Sequence, residues 1–464
     1  MNKKIIIALS ALLLVIAMVL IATSCIYNFP PTTTSNNNKI ETPDGERVPI
    51  DYLNSFYLVD ALFNNFSILE IDYEKAVLSA IRAYVEATGD KYAIYYTPDE
   101  FEALQTENNG DLYGIGVQVI FDYKEYFMEI VLIMPDSPAQ GKLQVGDKVT
   151  HIIADGTKTA LIDLVEQNKA KVRQLYPAYT EEEVNNSACY ETFQYAVSKL
   201  KGAEGTYAQF TINRNGVAMD MKIQRAKVKT LSVTAKTSIR DNTVGIVSIS
   251  QFDLTTPVQF KECMNKLIES GCNKFIFDMR NNPGGDLASV TAVLSTLLQE
   301  DQVILSTKDS SNVVEVTTVK PISYSSSSGY DTCNVASEEI GMYGGYEMVV
   351  LANENSASAA ELFTAALRDH KLAQIVGVNT YGKGSVQSII PLDYYNRDKE
   401  VYFGALRMTT KLYFPPCGIG YDGGIGIAPD YNVELEGEAA NVHFYKLTEE
   451  IDNQLQKAVS ILID

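Results

Sequence analysis

The sequence predicts an α+β, multidomain fold, and three observations predict it. Helical periodicity runs through residues from about 50 to 108. From Tyr113 the pattern changes to apolar strands separated by small-residue turns. From Thr243 strands and helices alternate through the C-terminal half. At 464 residues the chain is long enough for two or three domains with substantial cores. Hydrophobic content of 46% and charged content of 21% describe a globular composition.

The first stretch reads as targeting rather than fold. Met1-Asn-Lys-Lys is basic, and Ile5 to Ala22 is almost purely apolar and long enough to reach across a bilayer. It ends in Ala22-Thr23-Ser24-Cys25, which resembles a bacterial lipobox with Cys25 as the lipidated residue. A cleaved secretory signal and an uncleaved anchor are the alternatives. All three place the remaining chain outside the cytoplasm, anchored at the membrane or secreted. Residues 1–25 are therefore assigned to this segment and 26–48 to a polar, Pro-rich linker.

Residues 49–108 form the helical segment. Val77, Leu78, Ile81, Tyr84 and Val85 fit one stripe, and Thr97-Pro98 opens another helix with Thr97 as cap. Residues 109–228 form a β domain. Gly114-Ile115-Gly116-Val117 places a small-residue loop before a strand, where backbone N–H groups can meet a carboxylate and the strand edge can pair with a peptide. Ser137-Pro138-Ala139, Leu143 and Gly146-Asp147 follow in order. Residues from about 158 to 190 are polar and helical and read as an insertion. The helix of ETFQYAVSKLKGAEGT resumes after it.

Residues 229–464 carry the chemistry. KFIFDMRNNPGGD gives a buried strand to Met279, a turn through Asn281-Asn282-Pro283-Gly284-Gly285, and a helix from about Asp286. Paired glycines let a backbone N–H face a ligand. Val350 to Gln387 then reads as strand, turn, helix, strand and a glycine-flanked lysine loop. Ser358 falls at a helix N-terminus, which favours developing negative charge. Ser358-Ala-Ala-Glu361 equally fits a capping box, and Ser356 rivals it for either role. Gly377 to Lys383 matches most of a phosphate-binding loop, but Gly384 stands where Ser or Thr would hold magnesium.

Composition excludes several classes. The net charge of −20 disfavours nucleic acid and anionic lipid as partners. The six cysteines show no zinc spacing, and the three histidines have no neighbouring partner, so no metal and no cofactor are expected. His370 reads as a helix-end residue.

Taken together, these residues resemble the C-terminal processing peptidases, the tail-specific proteases. GIGV, SPA and GD resemble the PDZ part of that family, and DMRNNPGG its glycine turn. NENSASAAELF resembles its serine box and YGKGSVQ its lysine loop. MTTKLYFPPCG and GIAPD resemble its closing segments. The resemblance implies a PDZ-like domain at 109–228 and an α/β crotonase/Clp-like catalytic core at 229–464. It implies Ser358 as nucleophile, Lys383 as general base and Gln387 as the residue that positions the lysine. It implies an oxyanion hole from the amides of Gly284 and Ala359, and peptide binding at Gly114, Ile115, Gly116 and Val117. Ala360 replaces the third serine of the box, and Cys417 alters the closing segment. The expected activity is that of an exported serine endopeptidase cutting proteins near apolar C-terminal tails, without cofactor. The alternative is a catalytically inactive PDZ-type adaptor on a peptidase-like scaffold. Lys383 serves as base only when neutral. An exposed lysine titrates near ~10.4, so burial must depress it.

Overall fold

A computed structural model describes residues 39–41, 47–49, 52–108, 111–325, 329–392 and 403–463. The apolar leader and Cys25 lie outside the described residues. Among the described residues no helix is long and apolar enough to cross a membrane, and no group of His, Cys, Asp and Glu is arranged to hold a metal.

The chain divides into two compact units, Met1–Gly89 and Asp90–Asp464. Among the described residues the first holds two helices, Tyr52–Phe66 and Tyr73–Ala87. Asp72 caps the second, its carboxylate accepting from the Lys75 N–H at 3.0 Å. Val85 is buried on that helix, but Tyr84 is exposed, so the expected stripe stops short of it. The boundary also falls earlier than the expected 108. Residues 90–108 belong to the second unit because the strand Ile94–Tyr96 pairs with Ala405–Arg407.

Within the second unit, one antiparallel sheet runs Val217–Gln224, Tyr207–Arg214, Lys148–Ala154, Met128–Ile133, Val117–Phe121 from edge to edge. Val117–Phe121 is an outer strand with Gly116 before it at φ +76°. A Cβ on Gly116 would lie 2.2 Å from Ser137 Cβ, so this turn requires glycine. The helices Leu161–Leu175 and Glu181–Leu200 close the domain's core through Leu161, Val165, Ala188 and Cys189. The second helix is unbroken from 181 to 200, so the expected insertion boundary at 190 falls inside it. Its first half is polar because it faces solvent on one side, not because it lies outside the domain. Thr180 and Glu183 form its capping box.

The C-terminal half is a sheet between helix layers. Its order is Val233–Thr237, Val244–Ile249, Lys274–Asp278, Glu347–Ala352, Ala373–Gly377, Tyr431–Asn432. The first pair is antiparallel and the others are parallel. Strand alternation sorts the core. Val247, Phe275, Phe277, Val350 and Ile375 pack with the helices Thr256–Glu269, Leu287–Ser295 and Ala359–Asp369. Ile246, Ile276, Val349 and Leu351 meet Leu455, Val459 and Leu462 of the helix Asn453–Ile463 on the other face. Burial on both faces explains the near-continuous apolar runs that announced these strands. A further sheet joins Val314–Thr318, Val303–Asp309, Ala405–Phe414 and Ser385–Pro391. Residues 303–318 are therefore a hairpin.

Candidate active site

Two strand ends build one wall of the site. Beyond Asp278 the chain turns through Asn281, which holds φ +58°, and through Gly284 at φ +100°. Beyond Ala352 it turns through Asn353–Ala357. The two turns are tied together by amides. The Asn281 N–H donates to Asn353 Oδ1 at 2.8 Å, and the Ala357 N–H donates to the Asn282 carbonyl at 2.9 Å. Asn353 and Asn355 both donate from Nδ2 to Asn281 Oδ1, at 3.0 and 2.8 Å. Ser356 is fully buried. Its hydroxyl donates to the Met279 carbonyl at 2.8 Å and accepts from the Asn353 N–H at 2.9 Å. The Ser356 hydroxyl is thus engaged on both sides by the backbone of its own turns.

Ser358 stands at the N-terminus of the helix Ala359–Asp369 with φ 56° and ψ −117°. An ordinary N-cap is extended. A non-glycine residue held in this region costs of order 1–3 kcal/mol, a strain that clusters at functional sites. The Glu361 half of the expected capping box is present, since Glu361 Oε2 accepts from the Ser358 N–H at 2.9 Å.

Glu361 does more than cap. It is fully buried, and its carboxylate also accepts from the Thr380 hydroxyl at 2.5 Å, the Gly382 N–H at 2.7 Å and the Lys383 N–H at 2.8 Å. One side chain therefore grips both the serine turn and the lysine loop. Burial pushes its carboxyl above the ordinary value, against four hydrogen bonds that favour the anion. The sequence signal for this residue was its place three after Ser358. Nothing local announced its partners 19 to 22 positions on.

Ser358, Ala359, Lys383, Gln387 and Gly284 line one pocket of about 460 Å³. Gly284 packs directly on the Ser358 turn, where a Cβ would lie 2.7 Å from Ser358 Cβ and 2.8 Å from Ala359 N. The Ala359 N–H has no acceptor among the described residues. The Gly284 N–H donates to Asn282 Oδ1 at 2.8 Å, so it faces its own turn, while the Gly285 N–H has no acceptor among the described residues.

The opposite wall carries the cations. The Lys383 ammonium lies over the Tyr92 ring, 4.5 Å from its centroid. Among the described residues Ser358 and Lys383 share no direct hydrogen bond. Burial lowers the Lys383 pKa, and the nearby Arg407 charge lowers it further, against Asp422 and Glu361. Gln387 does not touch the lysine amine. Its Nε2 donates to Ser385 Oγ at 3.1 Å and to Thr409 Oγ1 at 3.3 Å. Tyr413, also in the pocket, donates to the Lys383 carbonyl at 2.7 Å. Tyr92, Arg407 and Tyr413 were not singled out from sequence, because each comes from a strand or turn distant in the chain.

His370 ends the helix as expected, its Nε2 2.7 Å from the Val303 carbonyl. Arg280 lies in a buried ion cluster, its guanidinium donating to Asp278 at 2.7 Å and Asp452 at 2.8 Å. The cluster fastens the C-terminal helix to the strand end below the turn. Gly114 ends the strand Asp111–Gly114, Val117 opens the outer strand Val117–Phe121, and none of residues 114–117 lines this pocket.

Residues 243–433 match the model of peptidase family S41. The chain carries a peptidase family S41 domain. It is 28% identical over 357 residues to a CtpA-like serine protease of Staphylococcus haemolyticus, covering 76% of this chain and 59% of that one. It is 27% identical over 378 residues to a carboxy-terminal-processing protease of Bartonella bacilliformis, covering 78% and 70%. The chain thus spans about 60 to 70% of the length of these relatives. Among solved structures, a photosystem II D1 C-terminal processing protease aligns at 19% identity, covering 82% of this chain and 87% of that one, with a TM-score of 0.43.

Proposed function

We propose that this protein is an exported serine peptidase that cuts proteins near their C-termini, with Ser358 as nucleophile and Lys383 as base. The observation that carries the reading is the Glu361 carboxylate, which binds the N–H groups of Ser358, Gly382 and Lys383 together. A shared anchor of this kind fixes nucleophile and base to one frame, the positioning that chemistry at a peptide bond needs.

The chemical sequence follows from the residues. Lys383 in its charged form is held over Tyr92, a contact worth roughly 0.5–2 kcal/mol. Deprotonation removes that hold and frees the amine to swing to Ser358. The lowered pKa makes this accessible below the ordinary lysine range. Lys383 takes the hydroxyl proton, the oxygen attacks the carbonyl carbon, and the resulting ammonium returns a proton to the leaving amine. Water then releases the acyl group by the same base. The Ala359 N–H at the helix start is one oxyanion donor. The second comes from the glycine turn, either Gly284 once Asn282 lets go of it or Gly285. Gln387 supports the strand beside the lysine through Thr409.

The domain at 109–228 is read as PDZ-like. Its support is the outer strand Val117–Phe121 behind the Gly114–Val117 turn, an open edge that a peptide tail can extend. The apolar leader and Cys25 are read as the export and anchoring segment. The test is incubation of the chain from residue 49 with peptides differing only in their last three residues, beside Ser358→Ala. Cleavage that depends on those residues and vanishes in the variant is expected. Cleavage that survives in Ser358→Ala contradicts the mechanism. Tail preference that survives removal of residues 113–228 contradicts the PDZ-like role.

A further inference from the structure

The cleft holds a second cation that the mechanism above does not use. Arg407 lines the pocket with Ser358 and Lys383. Its Nε donates to the Tyr92 carbonyl at 3.1 Å, and its guanidinium lies 5.8 Å from the Tyr96 ring centroid. Among the described residues no carboxylate pairs with it. This is notable in a chain of net charge −20. Other arginines of the second unit pair with acids, as Arg214 does with Asp147 and Arg280 with Asp278 and Asp452, or spend their donors on carbonyls, as Arg225 does.

With Nε fixed, the two terminal nitrogens of Arg407 have no acceptor among the described residues. They form the fork that matches a carboxylate's two oxygens. The register says where the fork stands. Gln387 pairs with Thr409 and Ile389 with Arg407, so Arg407 is one cross-strand step beyond Gln387. That step is roughly 7 Å along the strand, the span of about two residues of extended peptide. Ile389, Val386 and Leu104 supply apolar wall beside it.

We propose that Arg407 binds a carboxylate of the substrate within a few residues of the cut, so that the cleft itself selects for an acid. The inference rests on the peptidase reading and deepens it. The carboxylate has two sources: the free α-carboxylate of a nearby C-terminus, or an Asp or Glu side chain. Two peptide pairs distinguish them. One pair differs only in a free acid against an amide at the C-terminus. The other carries Glu against Gln near the cut with both ends blocked.

The readout is the ratio of kcat/KM within each pair, for the parent, Arg407→Gln and Arg407→Lys. A ratio within one variant cancels any general effect on Lys383. The expected result is a preference for the acid of roughly ten- to hundredfold in one pair. It should collapse toward unity in Arg407→Gln and persist in part in Arg407→Lys. Whichever pair shows it names the source. Equal ratios for parent and Arg407→Gln in both pairs overturn the proposal. The same four peptides are titrated onto Ser358→Ala by calorimetry. Binding that keeps the acid preference while no variant cleaves anything would sink the peptidase reading and leave Arg407 as a carboxylate site. Cleavage without any acid preference would do the reverse.

Discussion

The two walls of the pocket are built on different terms. On the serine wall nearly every polar group is spent. Asn281, Asn282, Asn353, Ser356 and Glu361 satisfy one another or the backbone, and the turns they hold place Ser358 in a conformation its own preferences resist. On the other wall Lys383 rests on an aromatic face, Gln387 makes two long hydrogen bonds and Arg407 has its fork to spare. Ser358 is therefore preorganised, while Lys383 and Arg407 are adjustable. Preorganisation suits a group that must present one orbital to a carbonyl. Freedom suits a group that must shed a proton and then approach.

The sharpest way to break this comparison is to disturb the serine wall. Gly284→Ala would put a methyl within 2.7 Å of both Ser358 Cβ and the Ala357 carbonyl, at a φ that only glycine adopts without strain. Rate should fall by about 10²–10³, the usual effect of spoiling an oxyanion donor. Steady-state kinetics beside a thermal melt checks it, and a loss of stability without loss of rate would place the turn outside the chemistry.

Glu361→Gln comes next. An amide cannot accept from the Thr380 hydroxyl and the Ser358, Gly382 and Lys383 N–H groups at once. At least one buried donor is left without a partner, costing about 1–3 kcal/mol of stability. Misplacing the lysine loop relative to Ser358 should cost about 10² in kcat. Denaturant unfolding and kcat measured on the same sample read both effects.

The smallest effect is expected on the adjustable wall. Arg407 lowers the Lys383 pKa, so removing its charge lets that pKa rise. The activity of Arg407→Gln should require a higher pH, with the acidic limb of its kcat/KM profile displaced upward. An unmoved limb would separate Arg407 from the base.

Much of this was legible in the chain. The parallel strands announced themselves as apolar runs because both faces are buried, and the helix Ala359–Asp369 because its small and apolar residues are continuous. That Ser358, Lys383, Gly284 and Ala359 lie together in one pocket follows from the strand ends on which their motifs sit. Other features were not readable, and the reasons are physical. Asp452 reaches Arg280 from just before the last helix, Tyr92 arrives under Lys383 from beyond the first unit, and Arg407 faces the cleft through sheet register alone. Such partners depend on how distant strands pair, which no local spacing encodes. Tyr84 and the boundary at 190 were misjudged because periodicity reports an apolar or polar stripe without saying what covers it.

The central claim is that Lys383, uncharged, activates Ser358. The most direct measurement is the rate at which a fluorophosphonate labels Ser358 across pH, in the parent and in Lys383→Ala. The account predicts labelling that rises with pH at values below the ordinary lysine range, and loss of that rise in the variant. Labelling of Lys383→Ala at the parent's rate and with the parent's pH dependence would contradict it.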